Sequence, residues 1–401
     1  MTEAITDRAE DVLVRVDGLA GELEAGAEET ERLGKLSPPN AAAVRAAGTM
    51  RLLQAPEHGG YAADPRIFAE AVMATARRCG STGWVCGVVG VHPWELALMD
   101  PRLSEEIWAD DPDVWVSSPY TPNGVAEPVD GGYMLTGRWP FSSGTDHADW
   151  VMLGALTGDG SGIPAKNAEY LHVTLPRADY EILEDSWNVV GLKGTGSKDV
   201  VVQGAFIPAY RTISHEDVVF GAAAEKRGRT DPLYKLPFSV IFPVGITAAI
   251  IGISEGALAA HLAYQRTRVS PSGASKARDD HEILYVIAEA ASEIEASRLQ
   301  LLAGVGNMYE AIGEGAAPTP EDVFTVRRNQ IRCAWRCVAA VDEIFGRSGG
   351  NAGRESNPLQ RFWRDAHMGL QHFIHIPGPI YKVNALRMMD LELTPEEQAT
   401  I

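Results

Sequence analysis

RFWRDAHMGLQHFIH, residues Arg361 to His375, alternates basic and aromatic side chains, carries one carboxylate at Asp365 and ends with three histidines. With the residues before it, Pro358 to His375 reads as a helix stopped ahead of Pro377, since proline cannot continue one. On such a helix His372 and His375 share a face and His367 points away. No Asp or Glu stands beside them at ligand spacing, so no metal is expected. No carboxylate follows Asp365 until Asp390.

Working back from this stretch, long helical segments run through Ile246 to Arg268, Asp279 to Gly313 and Pro320 to Arg347. Loops at Ser270 to Ser275 and Gly313 to Pro320 separate them. Four long helices joined by short loops predict an antiparallel four-helix bundle over residues 216–401. The apolar run Ser239 to Ala260 is long enough to span a bilayer. It holds Pro243 and Glu255 and runs into His261 and Arg266, so it reads as a buried core helix. Its Gly252-x-x-x-Gly256 then signals close helix packing.

Upstream the texture changes. Residues 114–215 hold short valine-rich runs broken by Gly, Pro, Asn and Asp: Val114 to Ser118, Gly132 to Trp139, Trp150 to Leu156, Tyr170 to Leu175 and Asp199 to Ile207. Alternation with turn residues predicts antiparallel strands, here a β-barrel or sandwich, with Asp130-Gly131-Gly132 as a tight turn. Residues 1–113 read as a helical domain. Its helices are Thr2 to Leu36, Asn40 to Ala47 closed by Gly48, Asp64 to Arg78 and Pro101 to Ala109. The fold class is α+β, in three parts.

Composition narrows the function. The formal charge of −19 opposes nucleic acid and anionic membranes as partners. Four cysteines, Cys79, Cys86, Cys333 and Cys337, form no CxxC pair and read as buried free thiols of a cytoplasmic protein. The acidic N-terminus lacks the apolar core of a signal peptide.

Helical domain, small β-domain and helical bundle, in that order, resemble the acyl-CoA dehydrogenase superfamily. Further motifs carry the resemblance: LLQAPEHGGY (Leu52 to Tyr61), CGSTGWV (Cys79 to Val85), VHPW (Val91 to Trp94), WPFSSGTDHADW (Trp139 to Trp150) and WNVVGLKGTGS (Trp187 to Ser197). With Arg361 to His372 they resemble the oxygenase components of two-component aromatic hydroxylases, such as those acting on a secosteroid phenol or on 4-hydroxyphenylacetate. Dehydrogenases of the superfamily abstract an α-proton with a glutamate about nine residues after the arginine of Arg-Asp-Ala. Counting from Arg364 reaches Phe373. Glu255 is the other candidate base, and it lies inside the apolar helix. Without a placed carboxylate that reaction lacks its base.

The resemblance implies a different chemistry. Reduced FMN or FAD, delivered by a separate NAD(P)H-dependent flavin reductase, reacts with O2 to a flavin C4a-hydroperoxide that hydroxylates a phenol, at the ortho carbon. It implies that His372 takes the phenol proton and that Ser143 bonds flavin N5. Ser142, Trp139, Gly194, Thr195 and Ser197 are then further flavin contacts on the β-domain. Arg266, Gly349 and Gly350 reach flavin across subunits of a homotetramer. Trp84, His92, Tyr120, Phe141, Phe373 and His375 are candidate pocket residues, with His92 also a candidate for the chemistry. Each has a plainer reading: turn serines bond their own backbone, Arg266 satisfies a helix end, and aromatics fill cores. Alternatives of the same fold are nitrogen or sulfur oxygenation and flavin dehydrogenation. The residues after His372, FIHIPGP, are bulkier than in the steroid enzyme, so the substrate is expected to differ.

Overall fold

The computed structural model describes residues 2–219, 221–268 and 280–398, with the side chains of 2–7 and 398 excepted. The expected loop at Ser270 to Ser275 lies outside the described residues. The N-terminal part is helical: α1 (Thr2–Gly18), α2 (Ala20–Ala25), α3 (Ala27–Leu33), α4 (Pro38–Ala47), α5 (Pro65–Ala76), α6 (Gly80–Val89), α7 (His92–Leu96) and α8 (Pro101–Trp108). The single helix expected over Thr2 to Leu36 is thus three. Helix α4 starts on the Ser37 cap and ends where Gly48 turns left-handed (φ 80°), as its sequence predicts.

Eight strands follow: β1 (Val116–Ser117), β2 (Gly124–Val129), β3 (Gly132–Ser142), β4 (Trp150–Thr157), β5 (Tyr170–Pro176), β6 (Glu181–Leu183), β7 (Lys198–Pro208) and β8 (Thr212–Ser214). They form one sheet in the order β6-β7-β3-β2-β4-β5-β8, with β1 beside β4. The β2–β3 turn is tight: Val129 pairs with Gly132, and Gly131 takes φ 78°. The expected antiparallel barrel is not what forms. The sheet is open, and β2 and β1 pair with β4 in parallel. Strand β3 is held on its far side by β7, so the returning chain can add only beside β2. The edges β6 and β8 have three residues each, short enough to limit further pairing.

From His215 the chain is helical again: α9 (His215–Val219), α10 (Ala222–Lys226), α11 (Phe238–Thr267), α12 (His281–Gly313), α13 (Pro320–Gly346), α14 (Pro358–Leu370), α15 (Pro377–Met388) and α16 (Pro395–Gln398). This is not a self-contained four-helix bundle. Helix α11, whose apolar window is 83% buried, packs on α5 and α6 as well as on α12, α13 and α14. The helix predicted to reach His375 stops at Leu370. His372 takes extended backbone (ψ 136°) and caps a 3-10 turn, Phe373–His375, before Pro377 opens α15.

Glycines set the approach of α11 to the N-terminal helices. A Cβ on Gly245 would stand 2.3 Å from the Gly87 carbonyl oxygen, and one on Gly252 2.4 Å from that of Met73. Backbone atoms cannot swing aside as a side chain can. Gly245→Ala is therefore expected to cost about 1–3 kcal/mol, as overpacking does. A urea midpoint equal to that of the parent would contradict this packing.

Candidate active site

Helices α6, α11 and α14 meet the sheet around a cavity of ≈ 340 Å³. Trp84, Tyr120, Phe242 and Trp187 form aromatic wall, and Met368 and Gln371 come from the end of α14 and the turn after it. Of the residues singled out in the sequence, Trp84, Tyr120, Phe141, Ser143, Thr195, Ser197, His372 and Phe373 line it. Ser118, Thr121, Trp187, Phe242 and Gln371 were not foreseen.

His372 sits on the short turn rather than on a helix. The Ile374 N–H donates to its Nδ1 at 3.4 Å, so Nε2 is the nitrogen that carries hydrogen in the neutral ring. Burial, helped by Arg327, pushes the imidazole down to about 4, so it is neutral near pH 7. Arg327 is itself buried and clamps the turn by donating to the Ile374 carbonyl at 2.7 Å and to Gln330 Oε1 at 2.6 Å.

Three buried hydroxyls share one wall. Ser143 Oγ and Ser197 Oγ lie 2.7 Å apart, and Thr195 Oγ1 is 2.7 Å from Ser197 Oγ. Trp84 Nε1 donates to Ser143 Oγ at 3.4 Å, and its ring centroid lies 6.0 Å from that of His372. Trp84 therefore joins the hydroxyl wall to the histidine. The turn bearing Thr195 is tied to α14: the Leu192 N–H donates to Asp365 Oδ1 at 2.6 Å. Leu192 holds a left-handed φ of 52°, and Phe141 at the cavity one of 69°. Strain of this kind persists only where surrounding contacts impose it. Phe141 and Phe373 remain 61% and 62% exposed, leaving apolar surface uncovered at the cavity.

Other candidates lie elsewhere. Trp139 is in the core of the sheet, donating to the Gly154 carbonyl at 2.7 Å. Ser142 is buried beside Ser117, and Gly194 is pressed on Thr30 of α3. His375 is core: its Nε2 meets Thr247 Oγ1 at 3.2 Å and it does not line the cavity. His367 pairs with Asp342 at 2.8 Å, so the three histidines of the opening motif have three separate surroundings. Glu255 pairs with Arg298 at 3.3 Å, 13 residues along α11 from Phe242, or ~20 Å at 1.5 Å per residue. Arg266 is 24 residues from Phe242, ~36 Å on the same count. There Arg268 approaches Gly349 and donates to the Arg347 carbonyl at 2.8 Å, so the arginine end and the glycine loop do meet.

His92 lies one layer behind the wall, four residues after cavity-lining Val88. The Tyr120 hydroxyl donates to Glu95 Oε2 at 2.7 Å, so the Tyr120 oxygen receives the His92 Nδ1–H at 3.0 Å. Nε2 of His92 is then the bare nitrogen, fully buried and without a partner. Burial pushes this imidazole down to about 4.

The family Acyl-CoA dehydrogenase, C-terminal domain, matches residues 244–377. The pigment production hydroxylase of Rhodococcus erythropolis is 47% identical over 94% of this chain and 95% of its own. The oxygenase subunit HsaA, a flavin-dependent monooxygenase of Rhodococcus jostii, is 40% identical over 95% of this chain and 98% of its own. This chain belongs to the oxygenase components of flavin-dependent monooxygenases. The crystal structure of 3-HSA hydroxylase from Rhodococcus sp. RHA1 superimposes on it with a TM-score of 0.90 at 39% identity, covering 96% of this chain and 99% of that one. An oxygenase component of this kind receives reduced flavin from a separate reductase and uses it with O2. The residues present fit that cofactor. Thr195 Oγ1 donates to the Leu192 carbonyl at 2.8 Å, so Ser197 donates to Thr195 and Ser143 to Ser197; their oxygens remain as acceptors on one wall, beside aromatic surface, and match a flat ring with N–H on its edge.

Proposed function

We infer that this oxygenase component hydroxylates a small phenol, at the carbon ortho to its hydroxyl. The observation that carries this is the placement of His372 on the cavity with Nε2–H facing no acceptor among the described residues, joined by Trp84 to the Ser143–Ser197–Thr195 cluster. Reduced FMN or FAD, when bound, supplies the electrons that activate O2. Ser143, Ser197 and Thr195 would hold its ring edge. His372 donates Nε2–H to the phenol oxygen and steadies the charge that grows there. The resemblance implies that His372 is the base. Its Nδ1 bond and its low proton affinity favour donation instead, because moving a proton from a phenol near 10 to an imidazole near 4 is uphill by ~8 kcal/mol. The phenol binds as its anion, its proton left in water, and the ring carbons ortho and para to the oxygen are then nucleophilic; the ortho choice follows the resemblance. The aromatic walls and Phe373 keep water from the reacting atoms.

A cavity of ≈ 340 Å³ is near the lower end for ligand pockets and must also admit part of the flavin. That favours one- or two-ring phenols over a steroid skeleton. Arg266, Gly349 and Gly350 are too far along α11 to serve the same chain's cavity, which favours a homotetramer in which they serve a neighbour. The four free, buried thiols suit a reducing cytoplasm.

A phenol panel tests the substrate class. Binding is read from tryptophan fluorescence, since Trp84 and Trp187 line the cavity. Phenols should quench it, and their methyl ethers should bind at least about tenfold more weakly for want of the oxygen–His372 contact. Equal affinity for phenol and ether would overturn the reading. Ser143→Ala is expected to lower product formed per reduced flavin consumed by about tenfold or more, with phenol affinity unchanged. Full coupling in that variant would remove Ser143 from the site. Light scattering after gel filtration reports the assembly, with a monomer contradicting the shared site.

A further inference from the structure

Arg327, on α13, is a buried cation that helix packing does not explain. Its guanidinium bonds two neutral oxygens, Gln330 Oε1 at 2.6 Å and the Ile374 carbonyl at 2.7 Å. Among the described residues no Asp or Glu pairs with it, and burial alone lowers its proton affinity, to about 10, so it stays charged at neutral pH. A charge taken out of water without a counter-charge is strongly unfavourable, and an apolar side chain of similar size would pack there at less cost.

The bonds of Arg327 lead to His372. The Ile374 carbonyl belongs to the peptide whose other end is the His375 N–H, and that N–H donates to the His372 carbonyl at 2.9 Å. A cation on the carbonyl polarises the peptide and strengthens the bond at its far end. Trp335 Nε1 donates to the next carbonyl, that of His375, at 2.9 Å. Gln330, held by Arg327, donates to the Val240 carbonyl at 2.9 Å, two residues before Phe242 of the cavity wall. Arg327 thus joins the turn bearing His372 to α11. Among the described residues the cavity wall itself holds no lysine or arginine. In water near pH 7 only about one phenol in a thousand is ionised. A neutral N–H at His372 must make up that factor unless a fixed positive charge stands behind it.

We propose that Arg327 is a positioning residue for the hydroxylation: it fixes the turn that aims His372 Nε2–H, and its unpaired charge favours phenol bound there as the anion. The anion rests on the phenol reading above, whereas the charge behind His372 does not depend on it. No proton moves through Arg327, which keeps its charge throughout. The electrostatics agree with the geometry. Burial is the main cause that holds His372 and His375 neutral, and the Arg327 charge adds to it at both. A cation that opposes a proton on His372 favours, for the same reason, an anion at its Nε2. A unit charge acting across roughly 10 Å of protein changes such an equilibrium by about tenfold.

Two substitutions separate charge from clamp. Arg327→Met removes the cation and fills a similar volume. Trp335→Phe removes the other clamp on the turn and leaves the charge. In flavin-free protein with ¹⁵N-labelled histidines, the proton affinity of His372 should rise about tenfold in Arg327→Met, so that protonation begins about one pH unit higher. It should stay at the parent value in Trp335→Phe. The anion of 4-nitrophenol absorbs visible light, so this ligand reports its own ionisation. The parent should bind it as the anion below the pH at which it ionises in water. Arg327→Met should lose that preference by about tenfold, and Trp335→Phe should keep it. Arg327→Gln, a neutral amide that can still donate to the Ile374 carbonyl, serves if the methionine variant fails to fold. An unchanged His372 titration in the folded neutral variant, equal changes in that variant and Trp335→Phe, or a parent that binds only neutral nitrophenol would overturn the proposal. If the parent binds no nitrophenol at all, the phenol reading falls and the His372 titration still decides the charge.

Discussion

His372→Ala is expected to lower phenol hydroxylation by about 10²–10³-fold, the loss typical for one donor aimed at a developing oxyanion. The residue meets the cavity on a turn clamped by Arg327, and its Nε2–H has no acceptor among the described residues. Removing it leaves the phenol oxygen facing apolar wall. Consumption of reduced flavin should continue while product falls, so the ratio of product to flavin is the sensitive reading. His372→Gln separates donation from proton abstraction, because an amide N–H donates but cannot take a proton at neutral pH. Partial recovery in the glutamine variant is the expected result. An alanine variant that stays coupled at the normal rate would remove His372 from the chemistry, and a glutamine variant as poor as alanine would restore the base role.

Stability is expected to fall steeply as pH drops from about 6.5 towards 4. His92 and His372 are held neutral in the fold, with proton affinities pushed by burial from 6.5 to about 4, and burial holds His375 well below its usual range too. The unfolded chain binds protons at these sites below 6.5, while the native fold does not until about 4. The stability they contribute is therefore complete above 6.5 and is lost through that window. For His92, which has no exposed surface, the shift is worth ~3 kcal/mol, and His372 adds a similar order. Asp365 works the other way, since burial raises its carboxyl to about 6 and its protonation below that favours the fold. Burial raises the Asp113, Asp231 and Glu255 carboxyls as well, but it also lowers the His147, His215 and His261 imidazoles, so the histidines outnumber the carboxyls that oppose them, and a typical domain has only about 5–15 kcal/mol in all. Urea unfolding at pH 7.5, 6, 5 and 4.5 measures this. A midpoint that stays level from 7.5 to 5 would mean these histidines are hydrated in the native state.

The elements with a clear local period were legible in the sequence. Helices α4, α5 and α8 and strands β4, β5 and β7 lie within a few residues of their expected places. Helix α6 did not show itself as a helix, because every residue from Gly80 to Val89 is buried and no polar face marks a period. Strand β2 was masked by Pro128, and the open sheet depends on pairings between distant segments. Eight of the singled-out site positions failed to reach the cavity, and the reasons are physical. Trp139 and His375 are aromatic or apolar enough to be taken into cores. Arg266, Gly349 and Gly350 gather at the other end of α11. Ser142 and Gly194 are neighbours of cavity residues that face the other way, and His92 stands one layer back.

The central claim is that this cavity directs one oxygen atom from O2 into a phenol. Flavin-free protein is mixed anaerobically with chemically reduced FMN or FAD and a small phenol, then with ¹⁸O2, and the product is analysed by mass. The structure predicts an ortho-diphenol carrying one ¹⁸O atom, with the yield falling in His372→Ala. Oxidised flavin with no labelled product, for both flavins and across the phenol panel, would contradict it.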